Sequence, residues 1–256
     1  MIVAGVEPAD QQSGIAAPAL AGRSNLVLRV ISSLIMAPLA LALAYFGGWP
    51  FAVFWAIAAA IVLAEWLMLV IGRNPFAALP WNGSQWLWAS SGVVYAGGML
   101  AATLLLRSDA SLGFVAIVFV FAVVWGSDIL AYFVGRAVGG PKLMPRVSPS
   151  KTWSGAAGGT LASIIFGILV AKFSGIGNLG AVALIALLLS VISQAGDLIE
   201  SALKRHFHVK DSSGLLPGHG GLMDRLDGYV TAVVAAALIG LARGGFDAPA
   251  RGLLVW

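Results

Sequence analysis

The sequence predicts an all-α fold, a polytopic integral membrane helical bundle of about seven transmembrane helices with a polar cavity facing the cytoplasm. Three observations predict it. The 256 residues are 59% hydrophobic and only 10% charged, with mean hydropathy +0.93, whereas water-soluble domains carry about 25% charged residues. Apolar runs of about 20 residues, the length that crosses a hydrocarbon core, recur along the chain. Of the 11 acidic residues, Asp197, Glu200, Asp211, Asp224 and Asp227 fall between Gly196 and Gly228, together with all three His and with Lys204, Arg205, Lys210 and Arg225. Ionisable groups concentrated in so apolar a chain mark a functional site.

The elements follow in order. Met1 to Gly22 has Glu7 and Asp10 ahead of small apolar residues and no basic stretch before a hydrophobic core. It reads as a flexible cytoplasmic tail (residues 1–25) rather than a cleaved signal peptide. The first spans are Leu26 to Phe46, Trp49 to Ile71 and Trp86 to Leu106, making residues 26–111 an N-terminal transmembrane region. The spans Leu112 to Val134, Ala156 to Phe173, Leu179 to Ile199 and Tyr229 to Ala242 form a catalytic region over residues 112–243, interrupted by polar loops at 135–154 and 200–228. The last span is short and extends back through Leu226. Residues 244–256 are a short C-terminal tail. Trp49, Trp81, Trp86 and Trp88 suit an interfacial aromatic belt, and Arg29 and Arg73 suit snorkelling positions.

With the N-terminus inside, only Arg107, Lys172, Arg243 and Arg251 of the 15 Lys and Arg fall on the outer side. That positive-inside bias puts both polar loops on the cytoplasmic face. Zero Cys excludes disulfides, Cys-ligated zinc and thiol nucleophiles. The net charge of +4 belongs to this loop distribution, and no nucleic-acid partner is expected.

Several carboxylates lie inside or at the ends of spans: Glu65, Asp128, Asp197, Glu200, Asp224 and Asp227. A mid-membrane charge costs at least ~2.5 kcal/mol, so such groups face a cavity or a partner. Asp224 and Asp227 are three apart, which on a helix puts both on one face. Asp197 and Glu200 repeat that spacing at the end of the preceding span, and a hairpin through Gly214 to Gly221 would join the two ends. Few carboxylates plus waters and substrate phosphates is the ligand set Mg²⁺ prefers. Paired metals on such a set would stabilise in-line displacement at phosphorus. A structural ion-pair network with Arg225, Lys204 and Arg205 is the competing reading of the same spacing.

Pro217-Gly218-His219-Gly220-Gly221 is a turn whose backbone can approach an anion closely, with His219 positioned to donate to a phosphate; a plain helix connector also explains it. The other inner loop carries Arg136, Lys142, Arg146, Ser148, Lys151 and Thr152. Hydroxyls and lysines at a helix start suit phosphate binding, although the same cations also serve as anchors on anionic lipid. The Ser-Lys-Thr here lacks the glycine frame of a Walker site.

Together these residues resemble the phosphatidate cytidylyltransferase (CDP-diacylglycerol synthase) family. Its pattern S-x-x-K-R-x4-K-D-x-[GSA]-x2-[LIF]-[PGS]-x-H-G-G-x-x-D-R-x-D is met by Ser201, Lys204, Arg205, Lys210, Asp211, Ser213, Leu216, Pro217, His219, Gly220, Gly221, Asp224, Arg225 and Asp227. The similarity extends to Gly196 to Ser201, to Ser127 to Gly139, and to Lys142 to Gly155. Glu65-Trp66 is similar to a pair found in that family. Ser154 departs from it, standing where many relatives carry Glu or Gln.

The resemblance implies a polytopic helical homodimer that converts CTP and phosphatidate to CDP-diacylglycerol and pyrophosphate. It implies a requirement for Mg²⁺, with a second metal, divalent or K⁺, sharing the site. Asp197 and Asp224 would be metal ligands with Asp227 supporting them. Lys204, Arg205, Lys210, Asp211, His219 and Arg225 complete the candidate catalytic set. Asp128, Arg136, Lys142, Ser148, Lys151, Thr152, Ser201, Gly220 and Gly221 are the candidate substrate-binding residues. The expected location is a bacterial inner membrane, with N-terminus and active site cytoplasmic.

Two other readings compete. Asp224-x-x-Asp227-Gly228 begins like the motif of CDP-alcohol phosphotransferases, another class of lipid phosphotransferase, but Thr231 and Ala232 break its continuation. A cation-coupled membrane transporter explains Asp128 and Glu65 but not the His-Gly-Gly turn.

Overall fold

The computed structural model describes residues 35–72, 74–75, 79–214 and 220–256. Six helices in it are long and apolar enough to cross a membrane: α2 (Gly48–Ile71), α3 (Gly83–Ser108), α4 (Gly113–Val138), α5 (Trp153–Phe173), α6 (Leu179–His206) and α7 (Met223–Gly244). They follow α1, described over Ile35–Phe46. The earlier part of the first expected span, and the expected tail, lie outside the described residues. A short helix, α8 (Pro249–Leu254), closes the chain.

Two boundaries differ from the sequence expectation. α6 continues past Ile199 to His206, so Glu200, Ser201, Lys204 and Arg205 are helical rather than part of a loop. α7 begins at Met223, so Asp224 and Asp227 occupy its first two turns. The loop between α4 and α5 also contains a small antiparallel hairpin, β1 (Lys142–Met144) and β2 (Ser148–Thr152), paired Lys142 to Thr152 and Met144 to Ser148.

α4 lies along α5, α5 on α6, α6 on α7, and α7 reaches α3 and α2. Small residues set how close these helices come. Gly155, Gly159, Ser163, Gly167 and Ala171 recur every fourth position and are all buried on one face of α5. A Cβ at Gly155 would come 2.7 Å from Ala131 O, and one at Gly159 would come 2.7 Å from Ser127 O. Backbones meeting this closely gain packing and short interhelical hydrogen bonds, the forces that associate helices where lipid removes the hydrophobic drive. Ser163 Oγ donates to Val123 O (2.7 Å), and Gln194 Nε2 donates to Thr160 Oγ1 (3.0 Å).

The centre of the bundle is aromatic. Trp55 of α2 stacks on Tyr229 of α7 with centroids 5.0 Å apart, and Phe121 of α4 lies 5.3 Å from Tyr229. The buried Tyr229 hydroxyl bonds Thr103 Oγ1 of α3 at 3.0 Å. Large apolar side chains such as Val94, Leu184, Ile199 and Leu238 instead point outward, as a lipid-facing surface requires.

The end away from the polar loops is closed by local caps. Arg107 Nε donates to Ala44 O at 2.6 Å, satisfying a carbonyl at the end of α1. Asp109 accepts from Ser111 N and Oγ, Leu112 N and Arg251 N at 2.7 to 3.0 Å. Burial acts to raise its pKa, yet these hydrogen bonds outweigh burial and hold the carboxyl below its ordinary value. The bond to Arg251 docks α8, so the expected C-terminal tail is a folded part of the bundle.

Candidate active site

The last turns of α6 carry Asp197, Glu200, Ser201 and Lys204 at helical spacings of three and four, so they share a face. That face turns toward α7. Glu200 and Lys204 are buried, and Lys204 Nζ donates to Glu200 Oε1 at 3.0 Å and, across the helix pair, to Asp224 Oδ1 at 2.6 Å. A buried ammonium between two carboxylates fixes the approach of the two helix ends. The expected meeting of the Asp197/Glu200 and Asp224/Asp227 ends is therefore present.

Asp224 is held from several sides. Its Oδ2 accepts from Ser212 N (3.0 Å), Ser212 Oγ (3.1 Å) and Gly221 N (2.8 Å). As an acid in the first turn of α7 it also meets the positive end of that helix. The glycine pair permits this. Gly220 has φ +83, and a Cβ there would stand 2.7 Å from Asp224 Oδ2. A Cβ on Gly221 would collide with Ser212 Oγ and reach 2.7 Å from both Glu65 carboxylate oxygens. Gly220 and Gly221, expected to admit an anion, here admit the protein's own carboxylates. His219, Leu216 and Pro217 lie outside the described residues.

Glu65 is the residue that sequence reading underweighted. It is 1% exposed. Its Oε1 accepts from Ser213 Oγ (2.6 Å) and Leu222 N (2.9 Å), and its Oε2 from Met223 N (2.7 Å) and Ser212 Oγ (3.3 Å). Its position as a charge inside an apolar span and the family-like Glu65-Trp66 pair were the hints of this. Its neighbour Trp66 packs on Tyr95 at 5.1 Å and donates to Trp88 O at 2.9 Å, seating α2 on α3.

The second polar loop enters through the hairpin. Lys151 on β2 forms an ion pair with Asp197, and Arg205 Nε donates to Val147 O at 3.4 Å. Thr152 is buried as the N-cap of α5, with its Oγ1 accepting from Gly155 N at 3.1 Å. Ser154 Oγ donates to Gly139 O, closing the α4–α5 connection. Arg136, Lys142, Lys210, Asp211 and Arg225 are exposed, Ser148 is half-buried, and Ser201 Oγ donates to Asp197 Oδ1 at 3.4 Å.

Asp128 on α4 and Asp227 on α7 complete the acidic group. Asp197 lies within electrostatic reach of Asp128, Glu200 and Asp227, and Asp128 within that of Lys151 and Arg225. Among the described residues no three His, Asp or Glu are gathered tightly enough to hold a metal ion as their side chains stand. The donor chemistry nonetheless suits Mg²⁺, being all oxygen and dominated by carboxylates. Three buried polar atoms nearby lack a hydrogen-bond partner: Glu200 Oε2, Ser193 Oγ and Tyr95 Oη. The Tyr95 hydroxyl is in electrostatic reach of Glu200, Asp227 and Asp197, and Ser193 precedes Asp197 by one turn. A buried polar atom left unpaired costs about 1–3 kcal/mol, so these atoms are suited to a ligand, an ion or its waters. Asp224 is the poorer fit, because its oxygens already accept from Lys204, Ser212 and Gly221.

Residues 85–242 match the cytidylyltransferase family. The chain is 40% identical over 253 residues to a phosphatidate cytidylyltransferase of Brucella abortus (strain 2308), an alignment covering 85% of this chain and 94% of that protein. It is 45% identical over 122 residues to a phosphatidate cytidylyltransferase of Bacillus subtilis (strain 168), covering 46% and 44% of the two chains. A relative of the same name from Staphylococcus haemolyticus (strain JCSC1435) is 45% identical over 125 residues, covering 48% and 47%.

Proposed function

The chain belongs to the cytidylyltransferase family, and from that premise we propose how its residues transfer CMP from CTP to phosphatidate, giving CDP-diacylglycerol and pyrophosphate. One observation carries the assignment of the site. The two halves of the segment 201–227 are folded onto each other by the Lys204–Asp224 pair, and the Lys151–Asp197 pair draws the other polar loop to the same place.

The phosphate of phosphatidate is already ionised, so it needs no strong base to attack the α-phosphorus of CTP. A new P–O bond forms as the α–β bridge breaks and pyrophosphate departs with the electron pair. The barrier comes from bringing two polyanions together in line, and fixed cations lower it. Arg205 and Lys210, exposed beside the end of α6, receive phosphate oxygens. Lys151 and Lys204, each already paired with a carboxylate, hold their ammonium groups in place for the phosphates that enter between the loops. Acyl chains stay in the bilayer while the head group reaches the helix ends.

Asp197 and Asp227 would hold Mg²⁺, with Asp128, Glu200 and Asp224 bordering them. When bound, the metal supplies charge neutralisation for the phosphates. The polar loops are assigned to the cytoplasmic face of a bacterial inner membrane, supported by the distribution of Lys and Arg. A homodimer belongs to the same proposal, and a particle in detergent with the protein mass of one chain would oppose it.

The test is CDP-diacylglycerol formation by purified protein given CTP, phosphatidate and Mg²⁺. Wild type is expected to make product, EDTA to abolish it, and Asp227→Asn to lower turnover at least 100-fold. A fully active Asp227→Asn enzyme with unchanged Mg²⁺ dependence would remove Asp227 from the metal site. No product from folded wild type would overturn the function.

A further inference from the structure

Glu65 precedes residues 85–242, yet it bonds the segment that carries the site. Its four donors come from Ser212, Ser213, Leu222 and Met223, which are 147 to 158 residues away in sequence. They flank residues 214–221 on both sides. A carboxylate is the side chain this arrangement needs, because both of its oxygens accept and neither donates. Leu222 N and Met223 N belong to the start of α7, where amides have no helical partner, so Glu65 also caps that helix from another element. Ser212 Oγ is shared. It lies 3.3 Å from Glu65 Oε2 and 3.1 Å from Asp224 Oδ2. One hydroxyl thus connects α2 to the acid that bridges to Lys204.

We propose that Glu65 is a positioning residue for cytidylyl transfer: anchored in α2, it holds both ends of the 212–223 segment, and through Ser212 it sets Asp224 and Lys204. This rests on the function proposed above. Glu65 touches no substrate itself. Its role is to hold Ser212 and Ser213 against the start of α7 while the neighbouring cations meet phosphates.

Glu65→Gln tests the idea because it keeps size and shape but turns one oxygen into a donor. Whichever way the amide points, an NH₂ faces either Met223 N–H or Leu222 N–H, so one end of the clamp opens. Hydrogen–deuterium exchange of purified protein should then rise at least tenfold in peptides covering 208–224, with α4 and α5 unchanged. CDP-diacylglycerol kinetics, expressed per folded molecule, should show kcat down at least tenfold and KM for CTP changed at least threefold. A variant that had merely lost folded protein would retain the wild-type KM.

Ser213→Ala, which removes the 2.6 Å bond to Glu65 and leaves the carboxylate in place, provides a milder second variant and should shift the same peptides and the same constants by a smaller factor. If Glu65→Gln does not fold, Ser213→Ala decides by itself. Wild-type exchange in 208–224, or raised exchange with wild-type kcat and KM, overturns the proposal. Wild type that makes no CDP-diacylglycerol would instead defeat the underlying function, so the two failures are separable.

Discussion

At the scale of single residues, the site is organised by carboxylates that accept from backbone and hydroxyl donors, and by glycines that let those donors approach. Gly221 is the sharpest case. A methyl group there would enter the space between Ser212 Oγ and the Glu65 oxygens, costing about 1–3 kcal/mol by overpacking. Gly221→Ala is expected to lower turnover at least tenfold, whereas Gly214→Ala, whose Cβ would meet nothing within 4 Å, should stay near wild type. Steady-state CDP-diacylglycerol formation by the two variants checks this. Asp197, Lys204, Asp224 and Asp227 were legible in the sequence because charge is conspicuous in so apolar a chain and their spacings match a helix face. Glu65 was visible as a charge in an apolar span and as part of a family-like pair with Trp66, but not as a clamp. Its four partners are brought to it by the packing of α2 against α7, which no local spacing encodes.

At the scale of elements, helix existence was readable from apolar run lengths, and helix ends were not. Lys204, Arg205 and His206 look like loop residues by polarity, yet α6 carries them as helix beyond its apolar stretch. The hairpin of β1 and β2 was missed because strands of three and five residues leave too little alternation to detect. The α4–α5 pair depends on the small-residue face of α5, so Gly159→Leu should push α4 away from α5 at Ser127 and shift Asp128 relative to Lys151. The expected outcome is a lower thermal midpoint and loss of activity. Leu161→Ala, on the outward face of the same helix, should change neither by much. Fluorescence-detected unfolding alongside turnover separates these cases.

At the scale of the whole molecule, the polar loops gather at one end of the bundle and the Asp109 and Arg107 caps at the other. The chain contains no Cys, so single cysteines report the sidedness of these ends. In intact cells a membrane-impermeant maleimide should label Asp247→Cys and leave Ser150→Cys unmodified until the membrane is permeabilised. Reversed labelling would put the polar loops outside. The polar cavity was expected from carboxylates inside the spans and its cytoplasmic opening from loop charge, a property of the chain in its bilayer and not of any one contact. The aromatic slab of Trp55, Phe121 and Tyr229 has a consequence for how the bundle carries its charged end. Trp55 and Phe121 meet on Tyr229, whose hydroxyl bonds Thr103, so α2, α3, α4 and α7 are joined through one side chain. Asp227 stands two residues before Tyr229 on the same helix, so a shift of the slab moves an acid of the site with it.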